Sequence, residues 1–261
     1  WPSIAFGLEM FMAHKNSKNL DNIYPGSFTR GKDIQINGLI WMGSKENMLS
    51  QIRSKLDAGF SCIKLKIGAI NFDDEIYLLQ SIRKEFGPNE ITLRVDANGA
   101  FSPEGALEKL KILSDLELHS IEQPIQSNQW EKMTELCRLS PLPIALDEEL
   151  IGVHPYPSKK ELLKTIRPQA IVLKPSLLGG FTRTKEWIDL AEDLGMEWWI
   201  TSALESDIGL NAIAQFTSSF DVKLPQGLGT GSLYTNNIQS PLEVKGEYLH
   251  YSEDMPWKIP F

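Results

Sequence analysis

Short apolar runs alternate with longer amphipathic segments along most of this 261-residue chain. The first run is IQINGLIWM at residues 34 to 42, and ITLRVDA at residues 91 to 97 is another. The runs are rich in β-branched residues, whereas the segments between them have helical periodicity. This alternation predicts repeated strand–helix units, in which helices cover both faces of a parallel sheet. The eight runs begin at residues 34, 60, 91, 118, 143, 169, 197 and 221.

The number of units bears on the choice between two architectures. Eight strand–helix pairs close a (β/α)8 barrel of the TIM type, for which about 250 residues suffice. An open doubly wound sheet is the alternative. We predict an α/β protein with a barrel at residues 32 to 235. Residues 236 to 261 break the pattern, and we expect them to form a C-terminal tail that packs outside the barrel.

The first 31 residues precede the repeated units. They begin with WPSIAFGLEMFMAHKNSKNL, an amphipathic stretch without an initiator methionine. We therefore expect residues 1 to 31 to be a helical lead-in, the remnant of a link to a region upstream.

Side chains that cap helices mark several predicted helix starts. Ser44 follows the first run, and Ser102 stands before Pro103, a residue that fits the first helical position. Ser158 and Glu161 have the spacing of a capping box, which predicts a further helix start after the fifth run.

Charge and cysteine content exclude several classes of protein. The formal net charge is -8 and the acidic residues are scattered, which argues against a nucleic-acid partner. Cys62 and Cys137 are far apart in the chain, which is inconsistent with a disulfide framework and fits a reducing compartment. The sequence has no apolar run of membrane-spanning length. We predict a cytoplasmic protein that acts on a small molecule without a membrane partner, and a homo-oligomer remains open.

Charged residues stand where five successive apolar runs end. One βα unit, 25 to 30 residues, separates each from the next. In a parallel barrel the active site lies at the carboxyl ends of the strands, so this spacing predicts five side chains along one rim. A single such residue is more often a helix cap or a solvated charge. The five are Lys66, Asp96, Glu122, Asp147 and Lys174.

The residue types in this set predict a chemistry. Asp96, Glu122 and Asp147 would repel one another unless a cation lay among them, and their oxygen atoms suit Mg²⁺, with Mn²⁺ as a substitute. A bound Mg²⁺ stabilises the negative charge that develops when a substrate carboxylate loses a proton from its neighbouring carbon. Lys66 and Lys174 are the candidate acid/base residues. A neighbouring divalent cation favours the neutral form of a lysine, which can then accept a proton.

Other residues are candidates for contacts around the metal or with the substrate. Lys64 lies two positions before Lys66, on the same strand face, and adds a positive charge. Asn98 and Glu148 would orient a ligand or a lysine, although helix capping is an alternative for both. Ser202 and Glu205 follow the seventh run, where they would contact substrate or tie loops together.

The motifs at these positions resemble those of the enolase superfamily, in particular its muconate-lactonizing-enzyme subgroup. The resemblance extends from Phe6 to about Leu242. It implies that Lys66 and Lys174 are the acid/base pair and that the three carboxylates bind Mg²⁺. In this superfamily an α+β capping domain precedes the barrel, and we expect that domain to be absent from this chain. The matching motifs are KLK at 64–66, VDANGAF at 95–101, IEQPI at 121–125, ALDEEL at 145–150 and LKPSLLGG at 173–180.

Within the subgroup, residues 201–215 and 227–237 are most similar to the family of o-succinylbenzoate synthases. These lyases dehydrate 2-succinyl-6-hydroxy-2,4-cyclohexadiene-1-carboxylate to 2-succinylbenzoate in menaquinone biosynthesis. The resemblance implies a syn-dehydration through a metal-stabilised enediolate, in which Lys66 removes the proton α to the carboxylate and then protonates the departing hydroxyl.

Three alternatives remain. N-succinylamino acid racemases and dipeptide epimerases of the same subgroup use the same metal and lysines. A dipeptide epimerase usually carries a D-x-D pair after strand eight, and residues 227–237 contain no carboxylate. A non-catalytic barrel without its capping domain is an alternative of another class. Loss of a ligand or a lysine would favour it, and none is lost.

Overall fold

The computed structural model describes residues 1–17, 19–24 and 26–258 and divides the chain into two compact units. The first unit contains Gly38–Val172 and Leu190–Trp198. The second contains Trp1–Asn37, Leu173–Asp189 and the part of the chain that begins at Trp199. The last three residues of the predicted tail, 259–261, lie outside the described residues.

A parallel sheet of seven strands is the main element of the α/β fold. Its strands follow one another in the sheet in chain order, as expected when each strand is linked to the next by a helix. Pairing is parallel from β2 to β7, and β8 lies beside β7. The strands are β2 (Gly38–Ile40), β3 (Cys62–Lys66), β4 (Thr92–Asp96), β5 (Ser120–Glu122), β6 (Ile144–Leu146), β7 (Ala170–Leu173) and β8 (Glu197–Ile200).

Amphipathic helices connect the strands, and each buries several apolar residues, such as Met48 and Ile52 of α2. Ser44 caps α2 by accepting from Asn47 N at 3.3 Å, and Ser102 caps α4 through Gly105 N, as the sequence predicted. The predicted capping box at Ser158 is wrong, because α6 begins at Tyr156 and Ser158 lies inside it. The connecting helices are α2 (Lys45–Asp57), α3 (Phe72–Arg83), α4 (Pro103–Ser114), α5 (Trp130–Leu139), α6 (Tyr156–Ile166) and α8 (Phe181–Asp193).

The second unit has its own small antiparallel sheet. In this sheet β1 (Ile34–Gln35) pairs with β10 (Tyr248–Tyr251), which pairs with β9 (Leu242–Lys245). The first predicted strand, 34–42, is therefore two strands in two sheets. The N–H of Ile36 donates at 2.8 Å to the carbonyl of Glu247, which lies between β9 and β10. This bond holds the first part of the run beside the small sheet. The α-helices that lie wholly in this unit, among the described residues, are α1 (Pro2–Ser17), α7 (Pro175–Leu178) and α9 (Asp207–Thr217).

The predicted eighth strand, residues 221–228, is not a regular strand in the structure. Two isolated bridges remain in this segment, from Gln226 to Ile36 and from Gly227 to Thr201. Pro225 has no N–H to donate, which interrupts a regular ladder at this point. Among the described residues, we find no helix with the length and hydrophobicity needed to cross a lipid bilayer.

Candidate active site

Three carboxylates converge at the carboxyl ends of neighbouring strands. Asp96 ends β4 and lies beside Glu122, which ends β5, while Asp147 directly follows β6. Each side chain offers an oxygen atom, and these oxygen atoms all lie within 4.8 Å of one another. All three residues are buried. We call these residues the carboxylate cluster. Three buried oxygen donors at this spacing fit a hard divalent cation, so the cluster could bind a metal ion.

Lys64 lies against the cluster and is 5% exposed. Its Nζ donates to Glu122 Oε2 at 2.7 Å and to Glu122 Oε1 at 3.0 Å, and it lies 3.4 Å from Asp96 Oδ2. Burial disfavours the charge of this lysine, but the two carboxylates outweigh that effect and hold the pKa of Lys64 above its usual value. These two carboxylates therefore favour the protonated form of Lys64 beside the cluster.

The charges of the cluster affect its members unequally. Burial opposes the ionisation of Asp96, yet Lys64 and Lys66 hold the pKa of Asp96 below its usual range. Burial also opposes the ionisation of Glu122, and the charges of Asp96 and Asp147 add to it, so the pKa of Glu122 is raised despite Lys64. One more positive charge in the cluster would offset this repulsion.

Lys66 reaches the cluster from the end of β3. Its Nζ donates to Asp96 Oδ2 at 2.6 Å and to Asn98 Oδ1 at 2.7 Å. Asn98 Nδ2 in turn donates to Glu148 Oε1 at 2.9 Å, and Asn98 N donates to Asp96 Oδ1 at 3.1 Å. Asn98 thus contacts Lys66 and Asp96, and Glu148 contacts Asn98. The ammonium of Lys66 is held at the rim of the cluster.

Lys174 and Ser202 belong to the second unit. Lys174 directly follows β7 and is the N-cap residue of α7. Ser202 Oγ shares a hydrogen bond with Thr230 Oγ1 and lies 3.4 Å from Gly227 O. Ser176 Oγ donates to Glu205. Ser202 therefore contacts Thr230 and Gly227, and Glu205 contacts α7, while the roles predicted for both residues stay predictions.

Two buried polar residues beside the cluster were missed by the sequence-based prediction. Gln123 is fully buried, and Glu149 is 4% exposed. The Gln123 side chain accepts from the N–H groups of Asp147 and Glu149, both at 3.2 Å. Each missed residue stands in the chain within two positions of a cluster carboxylate, and this proximity was the available signal.

Residues 47–255 match the family described as enolase C-terminal domain-like. The chain belongs to this family. The resemblance to the enolase superfamily is thereby confirmed, and enolase-superfamily enzymes use Mg²⁺. The seven-stranded parallel sheet matches the C-terminal barrel domain of enolase-superfamily enzymes.

Relatives in this family include a curated o-succinylbenzoate synthase from Desulfotalea psychrophila. The chain is 53% identical to it over 253 residues, which cover 97% of this chain and 68% of that protein. The crystal structure of MenC from Desulfotalea psychrophila LSv54 has a TM-score of 0.82 and 54% identity, over 88% of this chain and 64% of that chain. An N-succinylamino acid racemase from Thermus thermophilus is 32% identical over 84% of this chain and 58% of its own length.

Proposed function

We propose that this chain carries the catalytic residues of an o-succinylbenzoate synthase. The reaction is the dehydration of 2-succinyl-6-hydroxy-2,4-cyclohexadiene-1-carboxylate to 2-succinylbenzoate. The observation that carries this proposal is the 53% identity with the Desulfotalea psychrophila synthase over 97% of the chain. The carboxylate cluster and its lysines supply the groups that such a reaction requires.

The cation in the proposal is Mg²⁺, held by Asp96, Glu122 and Asp147. When bound, it would bind the substrate carboxylate and stabilise the negative charge that develops as the neighbouring carbon loses its proton. Lys64 adds a fixed positive charge on the same side, since its Nζ lies 2.7 Å from Glu122. The bound cation and Lys64 together would attract an anionic substrate.

Lys66 is the proposed base. Its side chain is 12% exposed, so it is largely protected from water, and its Nζ lies 2.6 Å from Asp96 Oδ2. In its neutral form it would accept the proton α to the substrate carboxylate. The same proton would then pass to the departing hydroxyl, which leaves as water, and the ring becomes aromatic. Asn98, 2.7 Å from Nζ, would hold the amine in place during both transfers.

Lys174 is proposed as the cationic group on the opposite face of the substrate ring. This assignment requires the sheet to close into the predicted barrel, with the segment around Gln226 in the place of the eighth strand. Gln226 N donates to Gln35 O at 2.8 Å, and Gly227 N donates to Ile200 O at 2.8 Å. The segment around Gln226 is thus bonded to β1 and to the last residue of β8 within the second unit.

Racemisation of N-succinylamino acids is a second candidate activity. The 32% identity with the Thermus thermophilus racemase favours it, and the same cation and lysines would serve a proton transfer at an α-carbon. A dipeptide substrate is disfavoured, because residues 227–237 contain no carboxylate to hold its amino group.

The proposal is tested by incubating the full-length protein with the cyclohexadiene substrate and Mg²⁺. We expect succinylbenzoate to form, followed by absorbance, and the reaction to stop when EDTA removes the cation. Parallel assays with N-succinylamino acids measure the second activity. If the protein does not dehydrate the cyclohexadiene substrate but racemises N-succinylamino acids rapidly, the racemase activity replaces the synthase activity as the assigned function.

A further inference from the structure

Gln123, beside the carboxylate cluster, has a backbone conformation and a burial that are both unfavourable for a glutamine. It directly follows Glu122, is fully buried, and has a backbone φ of +38°. A residue other than glycine enters this left-handed region at a cost in free energy and stays there when its surroundings hold it. Burial of the amide also costs free energy unless its donors and acceptors are bonded. The contacts of Gln123 therefore have to offset both costs.

The side-chain amide of Gln123 uses its full hydrogen-bonding capacity. Oε1 accepts from Asp147 N and from Glu149 N, both at 3.2 Å. Nε2 donates to Ile125 O at 3.0 Å and lies 3.4 Å from Glu149 Oε2. A glutamine amide has two lone pairs and two N–H groups, so all four are engaged. Two of these bonds hold the backbone around the cluster residue Asp147.

The backbone of Gln123 joins the neighbouring strands. Its N–H donates to Ala145 O at 2.9 Å, on β6, and its carbonyl accepts from Gly99 N at 2.7 Å, in the loop after Asp96. Main chain and side chain together thus connect the segments that carry all three cluster carboxylates. Glu149 extends this network, because its Oε1 accepts from Asn128 N at 2.8 Å.

The charge of the side chain at position 123 also matters. A carboxylate there would accept the same two N–H groups but would add a negative charge near the cluster and Glu149. A methionine would fill the space and leave the N–H groups of Asp147 and Glu149 without this acceptor. Glutamine accepts hydrogen bonds from both N–H groups without adding a negative charge.

We propose that Gln123 is a positioning residue for the cation site. Its contacts fix the position of Asp147 relative to Glu122 and Asp96. The inference rests on the cation site of the proposed function and is independent of which substrate reacts there. Residues that orient metal ligands without touching the metal typically change metal affinity by about 10- to 100-fold when they are replaced.

The test compares Gln123→Met with Gln215→Met. Gln215 is 1% exposed, and its Oε1 also accepts from two backbone N–H groups, those of Ile23 and Tyr24, while Nε2 donates to Leu20 O. None of these residues adjoins a cluster carboxylate in the chain. Both variants therefore lose the same kinds of hydrogen bond, but only Gln123→Met loses them beside a cluster residue. Mn²⁺ binding to each purified protein is measured by electron paramagnetic resonance, with folding checked by circular dichroism.

We expect Gln123→Met to bind Mn²⁺ about 10- to 100-fold more weakly, and Gln215→Met to bind it as the unmodified protein does. Gln123→Asn, which keeps an amide on a shorter side chain, is the second variant if the methionine variant does not fold, and we expect weakened binding there too. Unchanged affinity in a folded Gln123 variant overturns the inference, as does an equal loss in Gln215→Met. Failure of the unmodified protein to bind Mn²⁺ would instead refute the cation site of the proposed function.

Discussion

Lys64→Met should make the stability of the protein strongly dependent on a divalent cation. With all three cluster carboxylates ionised and both Lys64 and Lys66 protonated, the group carries one negative charge in excess. Removal of Lys64 raises that excess to two, in a region where the side chains of Asp96 and Glu122 are completely buried. A divalent cation would bring the variant cluster to neutrality.

The expected size follows from the burial of this pair. Loss of one partner from a buried ion pair costs about 3–5 kcal/mol, because the other charge stays buried without compensation. For a chain of this size that cost corresponds to a fall in Tm of roughly 6–20 °C. We expect this fall in EDTA and a clearly smaller one in saturating Mg²⁺, since the cation replaces the missing charge.

Thermal denaturation with EDTA and with Mg²⁺ measures both effects. Lys45→Met is the matched control, because the Lys45–Asp74 pair has the same 2.7 Å separation but lies at the surface. Exposed pairs contribute little, so this variant should change Tm only slightly and equally in both buffers. An equal fall of Tm for Lys64→Met in EDTA and in Mg²⁺ would refute the electrostatic reasoning.

Three further outcomes are expected. Lys66→Ala should lower the dehydration rate by about 10²- to 10⁴-fold while Mn²⁺ still binds, and activity within tenfold of the unmodified protein would exclude Lys66 as the base. Glu75 is 1% exposed, and its Oε1 accepts from Gly68 N at 2.6 Å. Glu75→Ala should therefore lower the free energy of unfolding, measured by urea denaturation, by about 2–4 kcal/mol. Glu75→Gln keeps an acceptor and should lower it less. Burial, together with the charge of Arg94, lowers the pKa of His119 to about 4. In the unfolded chain the imidazole takes up a proton near pH 6.5, whereas in the folded protein it stays neutral until the pH is near 4. The free energy of unfolding therefore keeps the contribution of the neutral imidazole above pH 6.5 and loses it as the pH falls toward 4. His119→Gln should flatten this part of the stability profile, and an unchanged urea midpoint profile between pH 6.5 and 4 would contradict the assignment.

The sequence predicted the repeated units well because apolar periodicity is a local property. Seven of the eight runs contain a strand of the parallel sheet, and helices lie between them. The errors arose where distant segments compete for the same backbone groups. Residues 34–42 divide between two sheets because Ile36 bonds to Glu247, some 200 residues away in the chain.

The three carboxylates and Lys66 were also predictable, because each stands at the end of an apolar run, while the place of Lys174 in the site stays a prediction. Residue type and spacing determined that Asp96, Glu122 and Asp147 belong to one group of charges. The contacts within that group depend on strand register, which brings Asp96 level with Lys66 on one side and with Glu122 on the other. The role of Gln123 was invisible for the same reason, since a glutamine within IEQPI has no special local property. Only the tertiary structure brings its amide to the backbone of Asp147, because that contact depends on the register of β5 against β6, which places Glu122 level with Ala145.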